Sequence, residues 1–209
     1  MQNPIEIISK LATTPLGIFE IISLSIIILC VLVIITSILI NFVEAKRDKP
    51  KKEKKSIVET GTMFLFFLLF YSLIRFGIGK INIENLTIRI PLVILGLFII
   101  ILGTFVNIKG RFNLGDNWAN QVKIYKDQTL ITSGVYSIVR HPLYASLIWM
   151  FYAASIIYLN WAAFLANTLI FIPFMYYRTK QEEVLLKQQF KNYSDYSKRV
   201  GMFFPKLKR

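Results

Sequence analysis

The chain has 209 residues, of which 55% are apolar and 18% are charged, and its mean hydropathy is +0.53. Soluble domains carry about 25% charged residues, so this composition excludes an ordinary soluble domain and predicts an integral membrane protein. The net charge of +13 does not indicate nucleic-acid binding, because membrane proteins place excess Lys and Arg beside their spans, facing anionic lipid.

Five apolar segments follow one another along the chain, and about 20 apolar residues are enough to cross a bilayer as a helix. They are residues 17–42, 60–79, 90–106, 143–158 and 161–177. Leu159 and Asn160 join the last two, which predicts an antiparallel helical hairpin. Pro91 is expected in the first turn of the third helix, and Pro173 is expected to kink the fifth.

The positive charge is distributed unevenly among the polar segments. Residues 45–56, 107–144 and 178–209 hold all but four of the 25 Lys and Arg residues. The remaining four are Lys10, Arg75, Lys80 and Arg89. Because cytoplasmic loops carry the excess of positive charge, this distribution predicts five transmembrane helices, with the N-terminus outside and the other three regions in the cytoplasm. Arg75 either snorkels to the interface or has an intramembrane partner.

The predicted fold class is therefore all-α and integral to the membrane. Residues 1–106 form an N-terminal membrane domain of three helices, with a basic cytosolic linker at residues 45–56. Residues 107–209 form a catalytic subdomain that contains a polar segment, the helical hairpin and an amphipathic C-terminal tail. The sequence carries no signal of the oligomeric state.

Several kinds of chemistry are excluded by what the sequence lacks. It has one histidine and one cysteine, His141 and Cys30, far apart in sequence. A structural zinc site needs four nitrogen or sulfur ligands, so we expect no metal. A single cysteine also forms no internal disulfide. The chain has no Walker loop, no GxGxxG and no Ser-His-Asp arrangement at an informative spacing.

Two polar clusters, LITSGVYSIVRHPLY at residues 130–144 and RTKQEE at residues 178–183, flank the apolar hairpin. With LGDNW before them and the F..Y..Y pattern after them, they resemble the isoprenylcysteine carboxyl methyltransferase family of integral membrane enzymes. The likeness runs through about half the chain. Its residues are Leu114, Gly115, Trp118, Ser133 to Tyr136, Arg140 to Tyr144, Asn160, Arg178 to Glu183, Phe190, Tyr193 and Tyr196.

This resemblance implies an enzyme that uses S-adenosylmethionine to methylate a lipid-like carboxylate, with the prenylcysteine class as the first choice. It implies that Arg178 binds the acceptor carboxylate, and that Glu182 completes the catalytic pair from the side of the cofactor. The implied cofactor-binding residues are Gln121, Gln128, Thr129, Leu130, Ile131, Tyr136, His141, Pro142, Leu143, Tyr144 and Glu182.

Elementary geometry agrees with these roles. Pro142 disfavours the helical conformation at His141 and favours a helix that starts after it. Arg178 and Glu182 are at positions i and i+4, on the same face of a helix. We therefore expect the two clusters to close over one cavity on the cytosolic side of the membrane.

Other interpretations remain open. His141 can be a hydrogen-bonded structural residue, Arg178 with Glu182 can be a surface ion pair worth under about 1 kcal/mol, and Glu183 can be solvated. Phospholipid N-methyltransferases and small-thiol S-methyltransferases share parts of the C-terminal pattern, although an amine acceptor gains little from Arg178. A non-enzymatic membrane scaffold or a small transporter is the alternative outside enzymes.

Overall fold

The computed structural model describes residues 13–44, 52–54, 57–115, 122–124 and 129–206. Within these ranges the α-helices are α1 (Pro15–Glu44), α2 (Ile57–Arg75), α3 (Leu86–Leu114), α4 (Pro142–Ile157), α5 (Trp161–Ala166), α6 (Ile172–Gln189) and α7 (Tyr193–Arg199). A 3₁₀ turn at Gly134–Ser137 precedes α4, and a π-turn at Asn167–Phe171 joins α5 to α6. The predicted helical class is confirmed.

One small ladder adds to the helices. Strands β1 (Lys52–Lys54) and β2 (Val122–Ile124) pair antiparallel, with Lys52 opposite Ile124. The ladder joins the predicted basic linker to the polar segment that follows α3. The sequence did not predict these strands, because three residues are too few for a period-two pattern to be recognised.

Among the described residues, two helices are long and apolar enough to cross a membrane: α1 over Pro15–Ile40, and α3. Gly61–Arg75 and Pro142–Ile157 are shorter apolar helices, and five spans stay a prediction. The outer faces are apolar. Leu29, Leu65 and Phe98 each expose more than 60% of their surface (62%, 64% and 63%), and soluble monomers rarely present large apolar patches. These faces suit contact with lipid.

Helix α3 is longer than the predicted third span at both ends. The Asn85 side chain caps it by accepting a hydrogen bond from the Thr87 amide (2.9 Å). The helix therefore starts before Pro91, and the expectation that Pro91 lies in the first turn is wrong. The C-terminal end continues to Leu114 and stops at Gly115, whose φ is +48°. The helix thus runs through residue 106 without a break, and the division at that residue stays a prediction.

Helix α4 lies at the centre of the packing. It is joined to α3 along three glycines spaced seven residues apart, Gly96, Gly103 and Gly110. A Cβ atom at Gly103 would lie 2.6 Å from Met150 Cγ, and one at Gly96 would lie 2.4 Å from Ile157 Cγ1. Small residues at such intervals let helix backbones approach closely inside a membrane. This contact sets the position of the N-terminal end of α4, where the polar cluster of residues 130–144 ends.

The predicted antiparallel hairpin is confirmed. Asn167 donates to the Ile148 carbonyl (3.1 Å), and the Tyr152 and Thr168 hydroxyls are hydrogen-bonded (2.9 Å). A π-turn lies just before Pro173, and the kink expected at that proline stays a prediction. Proline has no N–H to donate to the preceding turn, and a single wider turn accommodates that loss. Helix α6 then continues beyond the apolar segment and carries Arg178 to Glu183.

Candidate active site

The 3₁₀ turn before α4 is fastened to the end of α3. Gly134 has a φ of +60°, and a Cβ atom there would lie 1.9 Å from Asn113 Nδ2. The Asn113 amide donates to the Ser133 carbonyl (3.3 Å), and the buried Tyr136 hydroxyl donates to the Gly110 carbonyl (3.3 Å). The glycine is therefore needed for the backbone conformation, and its missing side chain leaves room for the Asn113 amide group.

His141 occupies the position that its neighbours predict. Its backbone is not helical (φ −125°, ψ 66°), and α4 begins at Pro142, which confirms the expected effect of the proline. The Arg140 amide donates to the Gly201 carbonyl (2.8 Å), and the His141 amide donates to the Met202 carbonyl (3.2 Å). Residues 201 and 202 thus hold this segment like a neighbouring strand.

Arg140 and Glu183 form a buried ion pair beneath the site. Arg140 Nε and Nη2 donate to Glu183 Oε1 at 2.9 and 2.7 Å. Its Nη1 donates to the carbonyls of Ser197 (3.0 Å) and Val200. Glu183 is only 3% exposed, so the interpretation of Glu183 as a solvated residue is wrong. Both partners of this ion pair lie within the sequence motifs: Arg140 precedes His141, and Glu183 follows Glu182.

His141 is buried between two carboxylates. Its Nδ1 lies 3.5 Å from Glu182 Oε2, and its Nε2 lies 3.4 Å from Glu183 Oε1. Burial lowers the pKa of His141, but interactions with Glu182 and Glu183 outweigh burial and raise its pKa overall. Burial also opposes ionisation of Glu183, but His141 and Arg140 lower the pKa of Glu183 to about 2. The surroundings of His141 therefore favour the protonated imidazolium, which lies between the carboxylates of Glu182 and Glu183.

Glu182 connects His141 to the predicted substrate-binding arginine. Its Oε1 accepts a hydrogen bond from the Tyr144 hydroxyl and lies 3.8 Å from Arg178 Nε. The Arg178 guanidinium carbon lies 5.5 Å from the centroid of the Tyr144 ring, and its Nη1 donates to Met63 Sδ (3.4 Å). The structure therefore brings the two clusters together, with Arg178 and Glu182 on one face of α6.

A cavity of about 590 Å³ opens beside this cluster. Most of its lining is apolar and comes from α1, α2, α3 and α4. The polar lining consists of Asn107 and Arg111 at the end of α3, Tyr144 at the start of α4, and Arg178. Leu143 also lines the cavity. An apolar chamber with a few convergent polar groups is typical of a small-molecule site of this size.

The other predicted cofactor-binding residues are distributed as follows. Gln121 and Gln128 lie outside the described residues. Thr129 is exposed, while Leu130 and Ile131 are half-buried just before the 3₁₀ turn. Their contact with a cofactor stays a prediction.

Arg111 is a lining residue that the sequence analysis did not single out. A lone arginine after an apolar span is common at membrane interfaces, so nothing in its immediate neighbours distinguished it. Its position four residues after Asn107 on a helix is the signal that could have identified it.

Comparisons with known proteins agree with the motifs. Residues 94–188 match the model of the isoprenylcysteine carboxyl methyltransferase family. The fold is similar to a solved structure of a eukaryotic intramembrane Ras methyltransferase, an isoprenylcysteine carboxyl methyltransferase, with 25% sequence identity and a TM-score of 0.50. The likeness covers 73% of this chain and 53% of that one, so the chain spans about half the length of that protein. A comparison with curated proteins finds no match.

Proposed function

We infer that this member of the isoprenylcysteine carboxyl methyltransferase family is an S-adenosylmethionine-dependent enzyme that methylates the carboxylate of a prenylcysteine-like lipid. One observation carries the proposal: a cavity of about 590 Å³ with apolar walls has Arg178 and Tyr144 in its lining, and both contact Glu182. An acceptor with an apolar chain and an anionic head matches that distribution of apolar surface and charge.

The acceptor half of the site is built on Arg178. A guanidinium presents a planar fork of N–H donors that matches the two oxygens of a carboxylate. The Tyr144 ring and Met63 Sδ hold this guanidinium from two directions, which limits its rotation. Arg178 therefore orients the acceptor, while the apolar residues of α1 to α4 accommodate its chain.

The cofactor half of the site is built around Glu182. S-adenosylmethionine carries a sulfonium, an ammonium, a carboxylate and an adenosine. The Glu182 side chain is 22% exposed, so its carboxylate is reachable by a positive group. The first N–H groups of α4 have no partner within the helix and can bind an anionic group. The residues that would hold the cofactor are Tyr136, His141, Pro142, Leu143, Tyr144 and Glu182.

The proposed reaction requires little acid–base catalysis by the protein. Bound S-adenosylmethionine supplies a methyl group on a positively charged sulfur. A carboxylate is already ionised at neutral pH, so no general base is needed to activate it. Arg178 aligns the acceptor carboxylate, and Glu182 holds the cofactor in position next to it. The apolar walls exclude water from the reacting groups.

The membrane arrangement is part of the proposal. We place five helices across the bilayer, with the N-terminus outside and the site facing the cytoplasm, because the Lys and Arg distribution favours this orientation. The partners are then a lipid-like substrate and the surrounding membrane lipids. The cavity is bounded by helices whose outer faces are apolar, so an acceptor can stay within the bilayer while it is methylated.

The test is methyl transfer by the purified full chain in lipid nanodiscs, with S-adenosylmethionine labelled in the methyl group. N-acetyl-S-farnesylcysteine, an aminolipid and a small thiol are offered separately. We expect label in the farnesylcysteine as a base-labile ester, and little label in the other two acceptors.

The other outcomes of this assay would indicate a different function. Label in the aminolipid or in the thiol would replace carboxyl methylation by N- or S-methylation. If calorimetry detects no binding of S-adenosylmethionine to the folded protein, the enzymatic proposal fails, and a scaffold or a transporter becomes the better reading.

A further inference from the structure

Arg111 contributes a second guanidinium to the cavity that Arg178 lines. The two residues come from different helices, α3 and α6, and both belong to the polar part of an otherwise apolar lining. The cavity also contains Tyr144, the residue whose ring faces Arg178. Two arginines therefore line the same cavity, at its end near the C-terminus of α3 and the N-terminus of α4.

A buried network orients Arg111. Its Nε donates to Asn107 Oδ1 (3.0 Å), and the Asn107 amide donates to Ser146 Oγ (2.8 Å) and to the Leu143 carbonyl (3.4 Å). Asn107 and Ser146 are fully buried. The Ser146 hydroxyl in turn donates to the Leu143 carbonyl (2.9 Å). The guanidinium is thus attached to the first turn of α4, the turn that also carries Tyr144.

The charges of the site give Arg111 a function. Arg178 lies 3.8 Å from the Glu182 carboxylate, so an acceptor carboxylate that binds Arg178 also comes close to a negative charge. Repulsion between two carboxylates in a partly buried site weakens binding. A second guanidinium on the same chamber offsets that repulsion.

We propose that Arg111 is a substrate-binding residue that, with Arg178, holds the anionic head of the acceptor and restricts the enzyme to lipid carboxylates. This inference rests on the proposed function. A cationic head would meet two guanidinium groups and be repelled. The methylated product is a neutral ester, so it loses the attraction of both arginines and leaves the cavity more readily than the acid.

The experiment measures binding rather than turnover. Labelled N-acetyl-S-farnesylcysteine and its methyl ester are each bound to the full chain in nanodiscs, without S-adenosylmethionine. In the native protein we expect the acid to bind more tightly than the ester. In Arg111→Gln we expect the Kd of the acid to rise about tenfold, while the Kd of the ester changes by less than about twofold.

Lys109→Gln is the matched control. Lys109 lies two residues away on α3, is exposed, and places its ammonium 6.0 Å from the Phe105 ring. The control removes one positive charge from the same helix outside the cavity, and we expect the native Kd for both ligands. Arg111→Met supplies a second variant, whose apolar side chain suits a cavity wall, with the same expected loss of acid binding.

The outcomes separate this inference from the proposed function. If the native protein does not distinguish the acid from the ester, the carboxylate acceptor site itself is wrong. If the native protein does distinguish them, and both folded Arg111 variants keep the native preference, the carboxylate site stands and the role given to Arg111 is wrong. A similar weakening in Lys109→Gln would also overturn that role, since net charge alone would then explain the effect.

Discussion

Glu182 is the residue on which the contacts of the site converge. Tyr144, His141 and Arg178 all approach its carboxylate. The Tyr144 hydroxyl donates a hydrogen bond to this carboxylate, and His141 and Arg178 place nitrogen atoms 3.5 and 3.8 Å from its oxygens, so the carboxylate is held in one orientation. A change at Glu182 therefore acts on both halves of the proposed site.

We expect Glu182→Gln to weaken the binding of S-adenosylmethionine by about 10- to 100-fold, because an amide replaces the negative charge that faces a cation. Isothermal calorimetry on the protein in nanodiscs measures this change. Lys187→Gln is the control, because Lys187 is on the same helix and is exposed. Equal cofactor affinity in the native and Glu182→Gln proteins would show that Glu182 does not serve the cofactor.

Arg178→Ala should separate the two halves of the site. We expect kcat/KM for a farnesylcysteine acceptor to fall about 100- to 1000-fold, because the guanidinium that aligns the carboxylate is lost. The Kd for S-adenosylmethionine should stay within a few fold of the native value. A variant that folds but no longer binds the cofactor would reassign Arg178 to the cofactor side.

The pH dependence of stability should report the buried ion cluster. The pKa of Glu183 is lowered from 4.5 to about 2, so its contribution is present above pH 4.5 and is lost as the pH falls toward 2. The pKa of His141 is raised, so its contribution is complete below its ordinary value of 6.5 and is lost as the pH rises through the raised pKa.

Thermal unfolding of the native protein should therefore show a lower Tm at both ends of the pH range. Glu183→Gln should be less stable than the native protein at neutral pH, because Arg140 keeps a buried charge without its partner. It should also lose less stability in acid. An acid slope identical to the native one would mean that another group controls the response.

Much of this residue-scale arrangement follows from short-range rules. Proline after His141 predicts the start of α4, and the spacing of Arg178 and Glu182 predicts their shared face. The partners of Arg140 do not follow, because they are separated from it by 43 to 60 positions in sequence. No local pattern joins such residues, so a glutamate that looks solvated in a charged run can be buried in the fold.

At the scale of elements, the close contact of α3 and α4 holds the site in place. A Cβ atom at Gly103 would lie 2.6 Å from Met150 Cγ and 3.3 Å from the Ser146 carbonyl oxygen, so the two helices pack closely at that level. The apolar composition of both helices predicts that they are helical. It does not predict which face of α3 meets α4, because helices inside lipid are apolar on every side.

Gly103→Val should destabilise the protein by about 1–3 kcal/mol through overpacking. It should also lower methyl transfer, since α3 carries Asn107 and Arg111. Thermal stability and activity in the same nanodisc preparation measure both effects. Gly61→Val is the control, because a Cβ atom at Gly61 meets nothing within 4 Å. Native stability in the Gly103 variant would show that the two helices can separate without cost.

At the scale of the whole molecule, the protein is a bundle with apolar outer faces and its polar cluster at one end. Composition alone predicts the membrane class, and the order of apolar segments predicts most of the helices. The ladder between β1 and β2 could not be predicted, because it depends on contacts between distant polar segments. The start of α3 was missed although its cap is local, the Asn85 side chain that accepts from the Thr87 amide.

The proposed orientation predicts which side of a cell each loop faces. Cys30 is the single cysteine, so Cys30→Ser provides a background without thiols. In that background, we expect a membrane-impermeant maleimide to label Lys80→Cys in intact cells, and to label Ser194→Cys only after lysis. Both positions are exposed in the fold. Labelling of Ser194→Cys in intact cells would reverse the orientation.

The pairing of residues 140 and 141 with residues 201 and 202 has a consequence for biosynthesis. His141 leaves the ribosome about 60 residues before the segment that holds its backbone, and domains form as their chain emerges. The membrane helices can insert and pack during that interval, but the proposed active site cannot form until residues 201 and 202 have been synthesised. A nascent chain stalled before Gly201 should therefore be inserted in the membrane and yet unable to transfer a methyl group.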